Sequence, residues 1–124
     1  MSAELGSTGA AGQGAAADPA AADVYDDGRL RVEHDNYYVT LAGRPAQLPR
    51  KEFLLLSRLA RNAGRVVASA ELWRHAWPAG SPFNAESLHV HIYRLRRRLT
   101  PCGLRIVSMV NVGYRLAAGA DGPR

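Results

Sequence analysis

The apolar period of this chain changes twice, and that constrains its fold more than any single motif. From Val24 to Leu48 apolar and polar residues alternate with a period near two. From Pro49 to Leu99 the period lengthens to that of a helix, and after Gly103 it returns to two. Strands bury alternate residues and helices bury every third or fourth. The order is therefore strands, helices, then strands.

In the first strand region Leu30 and Val32 alternate with Arg29, Arg31 and Glu33. His34-Asp35-Asn36 signals a turn. Tyr37, Val39 and Leu41 then alternate with Tyr38 and Thr40. Gly43-Arg44-Pro45 breaks the pattern, and Ala46 to Leu48 is short and extended. This predicts a small antiparallel meander.

Pro49 opens a first helix, where its missing N–H costs nothing. Phe53, Leu55, Leu56 and Leu59 form its apolar face, and Gly64 is a candidate left-handed cap. Val66 and Val67 form a short extended bridge. Ser69 is a suitable N-cap for a second helix, Ala70 to Trp77. Leu72, Trp73, Ala76 and Trp77 supply the buried face of that helix, both tryptophans being expected in the core. A loop rich in Pro, Gly and Ser, Pro78 to Asn84, leads to a third helix from 85 to 99. Leu88, Ile92, Leu95 and Leu99 make its single apolar stripe. Thr100-Pro101-Cys102-Gly103 stops it, with Cys102 a small filler. Strands at 104–107 and 113–116, joined by a turn at 108–112, close the fold. The expected class is α+β: a winged helix-turn-helix with an N-terminal antiparallel sheet, three helices and a C-terminal β-hairpin wing.

Residues 1–23 are almost all Ala, Gly, Ser, Thr, Asp and Pro, which cannot bury enough apolar area to offset ordering entropy. They are expected to be a disordered arm or linker. The domain is expected at 24–117, followed by a disordered tail at 118–124. The sole cysteine excludes an intrachain disulfide. There is no signal-peptide pattern and no apolar run near the roughly 18 residues of a membrane span. A cytoplasmic protein with no membrane association is expected.

Charge points to the partner. The net charge is +5 over 124 residues. All 16 basic residues follow Gly28 and meet only six acids there, an excess of about ten that favours polyanions. Fifteen of them are arginine, which forks onto phosphates and guanine edges. The third helix concentrates this chemistry. Opposite its apolar stripe it carries His89, His91, Tyr93, Arg94, Arg96, Arg97 and Arg98. A helix about 10–12 Å wide fits the major groove of B-DNA, about 12 Å wide. The bland alternative is a solvated basic face, but four arginines within five residues repel one another unless a polyanion is near. His89 and His91 diverge by about 200° on a helix and cannot share one metal ion. No phosphate loop, paired carboxylates or nucleophile with its base is present, so neither enzyme activity nor a cofactor or metal is expected.

These residues resemble the OmpR/PhoB-type winged-helix effector domain of bacterial response regulators, in two-component signalling. The resemblance rests on Leu48-x-x-x-Glu52-Phe53-x-Leu55-Leu56, Gly64-Arg65-Val66-Val67, and Leu72 with Trp77. It continues through Val90-His91-Ile92-x-Arg94-Leu95-Arg96-Arg97-x-Leu99 and Val112-Gly113-Tyr114-Arg115-Leu116. It implies a sequence-specific double-stranded DNA-binding regulator of transcription, with the third helix in the major groove and the hairpin near the minor groove. By position, Arg94 would read bases, and Ser87, His91 and Arg96 would touch phosphates. Asn111 and Arg115 would lie on the wing. The loop Pro78 to Asn84 matches a segment that contacts RNA polymerase in some members.

Three positions depart from the family pattern. Glu86 stands where arginine is common, His89 where aspartate is common, and Val110-Asn111 where the wing has Arg-Gly. They imply a different target sequence. They also motivate a rival reading, a winged-helix module whose face has been lent to a protein or RNA partner. A receiver domain does not fit within 124 residues. The chain is expected to be either an excised effector domain or a stand-alone regulator. It is expected to be a monomer in isolation, with head-to-tail pairing on DNA.

Overall fold

The computed structural model describes residues 23–117. The expected arm up to Ala22 and the tail from residue 118 lie outside the described residues. An antiparallel four-stranded sheet in sequential order comes first: β1 (Val24–Asp26), β2 (Leu30–Glu33), β3 (Tyr38–Leu41) and β4 (Arg44–Ala46). Three helices follow: α1 (Arg50–Arg61), α2 (Ser69–Ala76) and α3 (Ala85–Leu99). A second sheet of order β5-β7-β6 is made by β5 (Val66–Ala68) between the helices and the terminal hairpin β6 (Arg105–Met109) and β7 (Gly113–Ala117).

Leu30, Val32 and Val39 from the first sheet meet Leu55, Leu56 and Leu59 of α1, Leu72 of α2, and Leu88, Ile92, Leu95 and Leu99 of α3 in one core. Leu104, Ile106 and Leu116 bring the hairpin into it. The whole apolar stripe expected on the third helix is buried. Among the described residues no helix is long and apolar enough to cross a membrane.

Several local expectations shift. Strand β4 is Arg44–Ala46, not Ala46 to Leu48, because the Ala42–Gly43 turn is tight and pairing resumes at once. Pro45 is tolerated there because β4 is an edge strand. Tyr37 leaves the alternation: it turns left-handed (φ 52°), is exposed, and stacks on Phe53 at 5.0 Å. Pro49 is the N-cap of α1, one position before its first helical residue. Gly64 is left-handed (φ 84°), but the cap of α1 is Asn62. Gly64 instead turns the chain so that its N–H reaches the Leu116 carbonyl at 3.0 Å. Ser69 is the first residue of α2, not its N-cap. Ala68 holds that place, and the Ser69 N–H donates to the Val112 carbonyl at 3.1 Å. The start of α2 is thus sewn to the hairpin rather than capped by its own hydroxyl. Trp77 falls just outside α2 in an extended conformation (ψ 153°), as a following proline favours. The hairpin strands run longer than expected, to Met109 and Ala117, leaving a turn of three residues.

His34, expected in a polar turn, is buried with Nδ1 2.5 Å from the Ser57 hydroxyl. Burial pushes its pKa below the ordinary 6.5, and Arg61 adds to the effect against the opposing Asp23. Burial likewise lowers His75, with Arg58 and Arg61 contributing and Glu71 opposing. Both rings are harder to protonate in the fold than in the unfolded chain, which takes up protons below about 6.5. Their contribution to stability is full above that pH and is lost as pH falls. Melting temperature is expected to drop between about pH 7.5 and about pH 5.5, and less steeply in a His34→Gln/His75→Gln protein. Parallel declines in differential scanning fluorimetry would assign the loss to other groups.

Candidate nucleic-acid interface

Helix α3 begins on Asn84, whose side-chain oxygen accepts from the Ser87 N–H at 2.9 Å. That bond satisfies one of the donors left open at a helix start. With Leu88, Ile92, Leu95 and Leu99 inward, the outward ridge consists of Glu86, Val90, Tyr93, Arg94 and Arg97, all exposed. His89 and Arg96 lie on the flank toward the hairpin, and Ser87, His91 and Arg98 on the flank toward α1 and α2.

The four arginines expected as one basic face divide by role. Arg96 reaches the hairpin: its Nε donates to the Ile106 carbonyl at 2.9 Å, and one terminal nitrogen donates to the Ser108 hydroxyl at 2.5 Å. Arg98 turns to α1, where its Nε donates to Glu52 Oε1 at 2.8 Å. That carboxylate is 3% exposed, whereas Arg98 is 43% exposed. Arg97 rests on Tyr93, with its guanidinium carbon 6.0 Å from the ring centre and a 3.4 Å bond to the phenol oxygen. Among the described residues the Arg94 side chain has no hydrogen-bond or ion-pair partner. Arg94 and Arg97 are therefore presented outward, while Arg96 and Arg98 brace the helix that carries them.

The two histidines part as their spacing requires. His89 is exposed. His91 lies 2.7 Å from the Ser87 carbonyl through Nδ1, which must donate because a carbonyl only accepts. Its ring meets Trp77 edge-on at 5.1 Å. Trp77 stacks on Trp73 at 4.0 Å, and Trp73 Nε1 donates to the Ser81 carbonyl at 3.1 Å. Trp73 is buried and Trp77 half-buried, so the pair closes the core beneath the Pro78 to Asn84 loop. Phe83 of that loop packs edge-on against Trp73.

At the hairpin tip Asn111 takes a left-handed conformation (φ 63°), which asparagine tolerates better than most residues. Val110 is 83% exposed. Tyr114 and Leu116 face the core, so strand alternation puts Arg115 on the opposite face of the sheet, together with Arg105 and Val107. Arg115 is thus not brought beside the arginines of α3.

Lys51 and Ser108 were not singled out from the sequence, and Glu52 entered only as part of the motif that carries the resemblance. Glu52 had a legible signal: it lies three and four residues before Leu55 and Leu56, on the buried side of α1. Ser108 had none, since its importance rests on Arg96, twelve residues away.

The fold and this surface define a winged-helix module with an outward arginine-bearing helix. The family described as transcriptional regulatory protein, C terminal, matches residues 43–116, and the chain belongs to it. The sensory transduction protein RegX3 of Mycolicibacterium smegmatis is 37% identical over 109 residues, covering 84% of this chain and 48% of the relative. Among solved structures, the response regulator DrrB of Thermotoga maritima, an OmpR/PhoB homolog, has a TM-score of 0.66 at 32% identity over 77% of this chain and 45% of its own. The DNA-binding domain of Klebsiella pneumoniae RstA, in complex with the RstA box, has a TM-score of 0.64 at 28% identity, over 76% of this chain and 96% of its own. The chain spans about half the length of the RegX3 relatives it matches.

Proposed function

We propose that this chain binds double-stranded DNA in a sequence-specific manner and regulates transcription, with α3 in the major groove and the β6–β7 hairpin at the minor groove. The observation that carries the reading is the outward pair Arg94 and Arg97 on a helix whose other two arginines are used to hold it in place. Glu86 is the only acid on that helix, and it lies at the opposite end of the ridge from Arg97. Arg94, with its fork unengaged, is the base reader, suited to the O6 and N7 acceptors of guanine. Arg97, Ser87 and His91 serve phosphates, and Tyr93 and His89 complete the reading face. That the RstA DNA-binding domain, at 28% identity, is seen in complex with the RstA box supports the DNA reading.

Replacing Arg94 by Ala tests it. The expected result is a loss of about 10- to 100-fold in affinity for a selected operator, with binding to scrambled duplex little changed. Electrophoretic mobility shifts with both duplexes measure this. Equal losses on both would reduce Arg94 to a phosphate contact.

Val110 favours a second reading, in which the exposed apolar tip docks on a protein partner. Salt separates the two. A chain contacting about six phosphates loses roughly a thousandfold in affinity between about 50 and about 200 mM salt, and an apolar protein contact does not.

A further inference from the structure

A second basic surface lies outside the helix just described. A cleft of about 300 Å³ opens between the start of α1 and the end of α2, lined by Arg50, Lys51, Leu54, His75, Trp77 and Pro78. No carboxylate lines it. Glu52, the nearest acid in sequence, is turned away onto Arg98. The Lys51 ammonium sits 5.8 Å above the Trp77 ring, whose edge meets His91 of α3. Arg50 lies over Tyr37 at 5.4 Å, continuing the same band of cations and aromatic rings. Among the described residues neither Lys51 nor Arg50 has an ion-pair partner. Their charge is directed at solvent along the flank of α3 that faces away from the hairpin.

A helix that fills a groove about 12 Å wide has a phosphate ridge close on each side. The hairpin, braced by Arg96, stands on one flank of α3. On the other flank Arg98 is paired with Glu52, and Lys51, over the Trp77 ring that meets His91, and Arg50 are left without an ion-pair partner among the described residues. Resting on the DNA reading given above, we infer that Lys51, with Arg50, forms a backbone-phosphate site that grips the ridge opposite the wing. This site widens the footprint beyond α3 and the hairpin. An ammonium on a flexible stem reads charge and not base, so the site adds affinity equally to every sequence.

The test is fluorescence anisotropy of the whole chain on a labelled 20-base-pair duplex of random sequence, across a salt series. It compares wild type with Lys51→Gln, Arg50→Gln and Arg44→Gln, the last an exposed cation on β4. Lys51→Gln is expected to bind roughly three- to tenfold more weakly at the lowest salt and to flatten the slope of log affinity against log salt by about 0.9. Arg50→Gln should act in the same direction, and Arg44→Gln should match wild type. A Lys51→Gln curve superimposed on wild type overturns the site. Equal weakening by Arg44→Gln overturns it too, because only total charge would then matter. Wild type that fails to bind the duplex at any salt sinks the DNA reading and this site with it.

Discussion

Replacing Gly113 by Ala is expected to be the most damaging small substitution in the chain. A Cβ there would sit 1.9 Å from the Val67 carbonyl oxygen, 2.8 Å from its carbon and 2.9 Å from the Ala68 Cα. All three are backbone atoms of β5, held in register opposite β7 with Ala68 facing Gly113. No rotamer change relieves the overlap. Either β5 separates from the hairpin or the hairpin shifts, and both release Val67, Ile106 and Leu116 from the core. A loss of about 3–5 kcal/mol is expected, a large share of the 5–15 kcal/mol that holds a domain of this size. Gly64→Ala is the comparison: Gly64 is left-handed, which Gly113 is not, but has open space around it, so its replacement should lose only about 1 kcal/mol. Urea unfolding of both variants measures the difference. A Gly113→Ala midpoint close to that of Gly64→Ala would show that the strands separate cheaply.

Arg98→Ala is expected to have the next largest effect, and it comes from what is left behind. Glu52 is almost wholly buried at the start of α1, and Arg98 supplies its 2.8 Å bond. Removing one partner of a fully buried pair costs about 3–5 kcal/mol, chiefly because a charge is stranded away from water. Arg98 is half exposed and the helix start favours a carboxylate, so about 2–3 kcal/mol is expected here. Adding Glu52→Gln in the Arg98→Ala background should recover more than half of the loss, since an uncharged amide is easier to bury. Chemical denaturation of the two single variants and the double variant closes the cycle. No recovery in the double variant would place the cost in lost packing of the arginine stem.

The contrast between these two sites explains what was legible in the sequence. Helix α3 was readable to the residue, because Leu88, Ile92, Leu95 and Leu99 carry its period and the loop residues on each side punctuate it. The winged-helix outline followed from the order of periods, and the resemblance to the OmpR/PhoB effector family followed from motifs spread over most of the domain. The partition of the arginines was not readable. Arg94, Arg96, Arg97 and Arg98 are the same residue type on one helix. What separates them is a carboxylate 46 residues away and a hydroxyl twelve residues away, and these meet only in the folded chain. The turn at His34 was readable, but the burial of its ring was not, for a similar reason. A turn-forming tripeptide says nothing about Ser57, which waits 23 residues further on to receive the ring.

The brace from Arg96 to Ile106 and Ser108 has a mechanical consequence. It ties the last turn of α3 to the middle of the hairpin strand β6, while the Ser69 N–H and Val112 carbonyl fasten the hairpin tip to α2. Helix and wing thus behave as the fixed jaws of a caliper. Under the DNA reading proposed above, a duplex whose groove spacing differs from that gauge would itself have to bend or twist to fit, and its stiffness would then enter the selection of sites alongside its sequence.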